Sequence, residues 1–261
     1  MLELRRIGLY TRDDEQDYRL GSMEKLFRRA GIEFVTDTSA TANQQFDLVI
    51  ALGGDGTVLR ALAAHPEAPV LAVNFGQVGF LTQSDRDELD KVLVRLLSDD
   101  YFIEERLTLQ VTIGDRSYRC INEVVVKSSL HMVEVACSVN DRKVHNPRGD
   151  GVIVGTPTGS TAYLMSTGAP LVVPDVDCII LKPLNEYSFS SRSIILSGSA
   201  RIRLTVTSAR EGDVAAAIDG RVQLPLKAGD TLEIARSPRP ARLVCFEADY
   251  FFRNLRERLR W

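Results

Sequence analysis

Phe46-Asp47-Leu48-Val49-Ile50-Ala51-Leu52-Gly53-Gly54-Asp55-Gly56-Thr57 reads as a buried strand that stops at glycine and restarts as a helix. The apolar run is too short for a buried helix and is bounded by turn residues. Thr57 to Ala64 then takes up a helical pattern, and Pro69 to Asn74 is a second buried strand. Working outward, Arg6 to Tyr10 reads as a strand. Tyr18 to Ala30 has helical spacing, with Leu20, Met23, Leu26 and Phe27 on one face and Gly31 as its stop. Leu89 to Leu97 is an amphipathic helix, with Asp85, Asp87 and Glu88 expected in its first turn. Strands alternating with helices predict a parallel sheet covered on its faces over residues 1–100.

Beyond Asp100 the pattern turns to β. Glu105 to Ile113, Arg119 to Lys127, Val133 to Val139 and Val152 to Gly155 are strand-like, as are Ser193 to Leu196, Arg201 to Thr207, Val214 to Ile218, Thr231 to Ala235 and Leu243 to Phe246. Few helix candidates break the series: Thr161 to Ser166 and a short stretch near Asp177. A second, β-rich domain is expected over 101–240. Residues 241–261 form a C-terminal segment expected to return to the first domain, with a helix from Tyr250 to Trp261 docking on it.

The glycine loop points to chemistry on phosphates. A helix start exposes unpaired N–H groups that favour an anion, and Gly53, Gly54 and Gly56 let a phosphate approach the backbone beside Thr57. No GKS or GKT follows, so this is not a Walker A loop. Asp55 is either the N-cap of a strand-to-helix turn or a carboxylate that takes a proton or holds a metal. A second stretch, Gly149-Asp150-Gly151-Val152-Ile153-Val154-Gly155-Thr156-Pro157-Thr158-Gly159-Ser160-Thr161-Ala162-Tyr163, runs from glycine through a buried strand into a hydroxyl-rich loop. It offers donors to ribose, phosphate or base edges, and Tyr163 can cover an aromatic ring. Arg148 and Asp150 either pair with each other or face a ligand. Asn122-Glu123 is either a surface strand end or an amide and a carboxylate suited to an adenine edge and a ribose diol.

Composition bounds these readings. The chain has 261 residues, 44% of them hydrophobic, and a net charge of −3. That is enough for two domains and too near neutral for a general nucleic-acid binder. No apolar run reaches membrane-spanning length and the N-terminus is not a signal peptide, so neither membrane nor secretion is expected. The four cysteines, Cys120, Cys137, Cys178 and Cys245, are scattered in apolar patterns, as expected of buried thiols in a cytoplasmic protein. The three histidines, His65, His131 and His145, show no zinc-ligand spacing.

Taken together, the Gly53–Gly56 loop, Asn122-Glu123 and Gly149 through Tyr163 resemble the NAD kinases, which phosphorylate NAD to NADP. Further likenesses are Asn74-Phe75-Gly76-Gln77-Val78-Gly79-Phe80-Leu81, Ser190-Ser191-Arg192 and Asp219-Gly220-Arg221. The resemblance implies a Rossmann-like N-terminal α/β domain that holds the ATP donor, followed by a C-terminal β-sandwich that binds NAD, with the active site between them. It implies Asp55 as the catalytic aspartate. It implies nucleotide contacts from Gly53, Gly54, Gly56, Thr57, Asn122, Glu123, Arg148, Asp150, Thr158, Thr161, Ala162, Tyr163, Leu164, Met165, Ser166, Tyr187 and Arg221. Mg²⁺ would arrive with the nucleotide, without a dedicated protein cage. Family members are homo-oligomers, dimers or tetramers, in which a neighbour completes the NAD site. This sequence departs from the family pattern at Gly155, where many members have serine, at Tyr187, where many have histidine, and at Ser193, where proline is usual. Two rival readings stand beside this one: a lipid kinase sharing the glycine loop, and a non-catalytic dinucleotide sensor. The first lacks an apolar or basic membrane-facing signal, and the second would tolerate loss of Asp55.

Overall fold

The computed structural model describes residues 2–11, 20–36, 44–75, 79–188 and 191–260. Tyr18, Gly76 to Val78, Ser190 and Trp261, which figure in the sequence reading, lie outside the described residues. The chain divides into two compact units, Met1–Glu105 with Ala241–Trp261, and Arg106–Pro240.

In the first unit the elements run β1 (Arg6–Tyr10), α1 (Leu20–Arg29), β2 (Glu33–Val35), β3 (Leu48–Leu52), α2 (Asp55–Ala64), β4 (Val70–Asn74), β5 (Ser84–Asp85), α3 (Leu89–Leu97) and β6 (Phe102–Arg106). The sheet order is β2-β1-β3-β4, continued by a late strand over Ala241–Cys245 and then β6, with β5 alongside β4. β1 pairs in parallel with β2 and β3, and β4 in parallel with β3, β5 and the late strand. Every residue of β3 and β4 is buried. That is why both read as unbroken apolar runs: helices cover both faces of the sheet. Leu9, Ile50, Leu71, Phe27, Leu93 and Val244 share one core. From β1 the chain moves outward to β2, then crosses back to β3 on the other side. The glycine loop therefore leaves the carboxyl end of β3 where the strand order reverses, the place where open α/β sheets bind ligands.

The second unit carries β7 (Leu109–Ile113), β8 (Arg116–Cys120), β9 (Glu123–Ser128), β10 (Val133–Val139), β11 (Arg142–His145), β12 (Arg148–Gly149), β13 (Gly151–Gly155), α4 (Tyr163–Ser166), β14 (Cys178–Leu184), β15 (Ile194–Ser197), β16 (Ile202–Ser208), β17 (Val214–Ile218), β18 (Val222–Leu226) and β19 (Thr231–Arg236). They make a seven-stranded sheet, β11-β10-β16-β19-β7-β8 with β12 on β10, and a six-stranded sheet, β15-β14-β13-β9-β17-β18. Val111, Val135 and Leu204 of the first sheet and Val124, Val152 and Ile179 of the second share one apolar core, which makes the unit a β-sandwich. The opposite face of the six-stranded sheet is also covered: Val125, Ile153 and Ile180 pack with Leu164, Ala169 and Val172. The segment after β13 thus folds back over its own sheet. The chain closes with β20 (Ala241–Cys245), the late strand of the first sheet, and α5 (Tyr250–Leu259).

Several element readings are corrected. Glu105 to Ile113 is not one strand but β6 and β7, which belong to different sheets, and Arg119 to Lys127 is split between β8 and β9 in the same way. The strand read at Leu243 to Phe246 runs over Ala241–Cys245 and lies in the parallel sheet of the first unit. The stretch near Asp177 is a turn, and Asp177 pairs with Arg236 at 2.8 Å. Asp85 lies in β5, while Asp87 and Glu88 form a short 3-10 turn ahead of α3.

Candidate active site

In the first unit the glycine loop is shaped by close approach. Gly53 has φ +144, and a Cβ there would lie 2.5 Å from Thr57 Oγ1. Its N–H donates to Val73 O, so it belongs to the sheet. The N–H groups of Thr57 and Val58 both return to Gly54 O. Asp55 and Gly56 therefore stand at the helix end ahead of the backbone ladder, where an anion meets N–H groups without a partner among the described residues and the positive end of the dipole. The N-cap is Gly54, not Asp55. The Asp55 carboxylate reaches a different segment: Oδ2 accepts the N–H of Phe80 at 2.9 Å and Oδ1 that of Leu81 at 3.0 Å. Gly79 makes room for it, since a Cβ there would come within 2.2 Å of Oδ1. Each carboxylate oxygen has two lone pairs, so both remain able to accept a further proton donor.

In the second unit the Asn122-Glu123 pair is buried rather than a surface strand end. Asp219, in the turn after β17, accepts the N–H groups of Ile121 at 2.9 Å and Asn122 at 2.7 Å, and Cys120 Sγ lies 3.4 Å from it. Its own N–H donates to Glu123 O. This clamp marks where the chain leaves β8 for β9. From the other side, Thr156 donates its N–H to Asn122 O and its hydroxyl to Ile121 O at 2.6 Å. A Cβ on Gly159 would strike Asn122 O at 2.2 Å, so the loop presses directly on the dipeptide. Gly155 has a local reason to be glycine: a Cβ would meet Leu164 Cδ1 at 2.5 Å.

Held in this way, the pair presents unused atoms. Asn122 Oδ1 and Glu123 Oε2 are buried without a hydrogen-bond partner among the described residues. Burial, and then the nearby Asp219 carboxylate, push Glu123 from an ordinary 4.5 up to about 7, against the N–H of Tyr163, which stabilises its charge. A buried amide and a carboxyl group that titrates near neutrality suit a polar ligand with hydroxyl or amine donors.

The other expected residues fall around this core. Thr158 Oγ1 accepts from buried Arg106 at 3.1 Å, Thr161 bonds back to Thr158 O, and Ala162 closes the turn on Gly159 O. Arg221 Nη2 lies 3.6 Å from Asp219. The side chain of Leu164 is buried in the sheet covering, whereas Tyr163, Met165 and Ser166 are exposed. Tyr163 and Ser166 share a pocket of about 400 Å³ with Asp150, Lys182, Asn185 and Glu186. Asp150 accepts from Asn185 Nδ2 at 2.7 Å, and no ion pair joins it to Arg148 among the described residues. Arg148 and Tyr187 are neighbours through Tyr187 N–H to Arg148 O, and the Tyr187 side chain is 74% exposed. Asp219, Arg106 and Lys182 were not among the expected site residues. For Asp219 the Asp219-Gly220-Arg221 likeness was a signal; for Arg106 and Lys182 the sequence offered none.

Comparison with known proteins agrees with both units. Residues 10–101 match the family model described as ATP-NAD kinase N-terminal domain, and residues 121–246 the ATP-NAD kinase C-terminal domain. The NAD kinase of Geobacter metallireducens is 37% identical over 224 residues, 82% of this chain and 79% of the relative. That of Heliobacterium modesticaldum is 36% identical over 225 residues, 83% of this chain and 79% of the relative. An NAD kinase from Archaeoglobus fulgidus solved in complex with ATP has a TM-score of 0.81 at 28% identity, over 98% of each chain. Yeast NADH kinase complexed with NADH shares the fold, with a TM-score of 0.86 at 23% identity over 99% of this chain and 88% of that one. With family models matching both units and relatives this similar over most of its length, the chain belongs to the NAD kinase family.

Proposed function

We propose that this chain transfers the γ-phosphoryl group of ATP to the 2′-hydroxyl of the adenosine ribose of NAD, giving NADP. The observation that carries this reading is Asp55: a carboxylate at the head of α2, in a glycine loop, with both oxygens oriented by backbone N–H groups. Asp55 accepts the hydroxyl proton as the oxygen attacks phosphorus. Most of the catalysis is positioning and charge neutralisation, because phosphoryl transfer asks little covalent chemistry of the protein.

The first unit is assigned the phosphate donor, with the N–H groups of Asp55 and Gly56 on the triphosphate. The second is assigned NAD, with Asn122 Oδ1 accepting an amine hydrogen and Glu123 the ribose hydroxyls. Mg²⁺ carried with ATP would supply charge neutralisation to the triphosphate, which the N–H groups of Asp55 and Gly56 would hold at the head of α2. Four buried free cysteines fit a reducing, cytoplasmic setting. A homo-oligomer is proposed in which Asp150, Arg148 and Tyr187 serve a neighbour's NAD. Mixing Asp55→Asn with Asp150→Ala protein should then restore some activity on subunit exchange, and proven exchange without rescue would exclude the sharing.

The direct test incubates the purified chain with NAD, ATP and Mg²⁺ and measures NADP with an NADP-specific dehydrogenase. Formation of NADP at a rate that Asp55→Asn lowers by about 10²–10⁴-fold is the expected result. No NADP from the folded protein would overturn the reading.

A further inference from the structure

We infer that Asn254, on the C-terminal helix, is a positioning residue for the carboxylate of Asp55. The inference rests on the reading of Asp55 as the proton acceptor. Asp55 is not held by its own helix. It is held by the N–H groups of Phe80 and Leu81, so its aim is only as fixed as the segment 79–82. Within that segment Gly79 N–H closes on Thr82 Oγ1 at 3.1 Å, a local turn that ties its two ends together.

The anchor comes from helix α5. Asn254 is 2% exposed, and its Nδ2 donates to Gly79 O and to Thr82 O, each at 3.0 Å. Two carbonyl oxygens facing one amide fix its orientation, because only the NH₂ end can satisfy both. One side chain therefore bridges the two ends of the turn whose middle N–H groups grip Asp55. Neighbouring residues of α5 brace the same segment. Arg253 Nη2 donates to Gln83 O at 3.2 Å, and the Arg258 guanidinium lies 5.4 Å from the Phe80 ring centroid. These outer contacts are part-exposed and replaceable, whereas Asn254 is buried and makes both bonds itself. A relay runs from Asn254 through the Gly79 and Thr82 carbonyls and the Phe80 and Leu81 amides to the Asp55 carboxylate. It joins residues nearly 200 positions apart in the chain.

A purely structural role would place the cost of losing Asn254 in stability alone. A positioning role places it in turnover. Asn254→Val removes both donors, and Asn254→Asp keeps the shape while facing two carbonyls with acceptors. Either change should lower kcat for NAD phosphorylation by about 10- to 100-fold, the scale of a small misplacement of a catalytic group, with KM for ATP and NAD held. Added to Asp55→Asn, the same change should cost nothing more, because the group it positions is already gone. Amide exchange at Phe80 and Leu81 should quicken in the Asn254 variants while that of β3 and β4 stays protected. This readout does not depend on turnover.

Wild-type kcat in Asn254→Asp, in a protein that Asp55→Asn inactivates, would overturn the positioning role and leave Asp55 in place. An equal loss in both backgrounds would do the same. An active Asp55→Asn protein would overturn the proton-acceptor reading itself and this inference with it. Should Asn254→Val not fold, the Asn254→Asp kinetics and exchange decide.

Discussion

The carboxylate of Asp219 accepts the backbone N–H of Asn122 at 2.7 Å, and the N–H of Asp219 returns to the carbonyl of the adjoining Glu123 at 3.0 Å. The strand switch that presents the Asn-Glu pair is therefore held by a side chain 97 positions away. Asp219 has φ +48, which asparagine tolerates and most residues do not. Asp219→Asn should keep the backbone while turning amide hydrogens or a weaker acceptor toward Ile121 and Asn122. A stability loss of about 2–3 kcal/mol in urea unfolding is expected, the scale of hydrogen bonds to a charged acceptor. A variant as stable as the parent would mean the clamp is dispensable.

Glu123 should make both stability and NAD binding depend on pH near neutrality. Its folded value is raised from 4.5 to about 7, so between those values the folded state holds a proton that the unfolded chain has released. Stability from this group is therefore fully present below about 4.5 and lost as pH rises through about 7. Glu123→Gln should remove that slope and be more stable than wild type at pH 8, by roughly 1–3 kcal/mol. A ribose diol bound by the carboxylate favours the ionised form. NAD affinity should then rise between pH 6 and 8, with proton release seen by calorimetry in buffers of different ionisation enthalpy. A flat affinity profile in wild type would remove Glu123 from the diol.

The fold class was legible because its signals are local. β3, β4 and β13 lie in sheets covered on both faces, so their apolar runs are unbroken, and glycine marks the ends of β3 and β13. The strand breaks at Leu107 and Ile121 were not legible. Alternation runs on unbroken through Leu107, and at Ile121 it is the hydrogen bonds to the distant Asp219 that mark the change of sheet. β2 is three residues long, and β14 carries Lys182-Pro183, so neither stood out. The glycine loops announced themselves by spacing. Among the side chains that orient the candidate site, Arg106 and Asn254 act from remote positions and leave no motif, while Asp219 stood in the Asp219-Gly220-Arg221 likeness without showing what it holds.

Asn122 should contribute to binding through its unused Oδ1. That atom is buried without a partner among the described residues, a cost that a ligand amine would relieve. Asn122→Ala should weaken NAD by about 1–3 kcal/mol while leaving ATP binding unchanged. Calorimetry on the two ligands separately checks this, and an unchanged NAD dissociation constant would return Asn122 to a purely structural place beside Thr156.

Gly79 offers the narrowest test of how Asp55 is held. Its missing side chain is the space the carboxylate occupies: a Cβ would lie 2.2 Å from Oδ1 and 2.8 Å from Cγ. Asp55 cannot yield without breaking its bonds to Phe80 or Leu81, and the turn cannot yield without disturbing Thr82 and Asn254. Gly79→Ala should therefore displace the carboxylate while leaving the sheet intact. A fall in kcat of about 100-fold is expected, as for misplacement of a catalytic group by an ångström. Asp55→Asn, which keeps the volume but removes the proton acceptor, should fall by about 10²–10⁴-fold. The two losses should not multiply in the double variant, because both act on one group. Full additivity would mean that Gly79 matters to turnover through something other than Asp55.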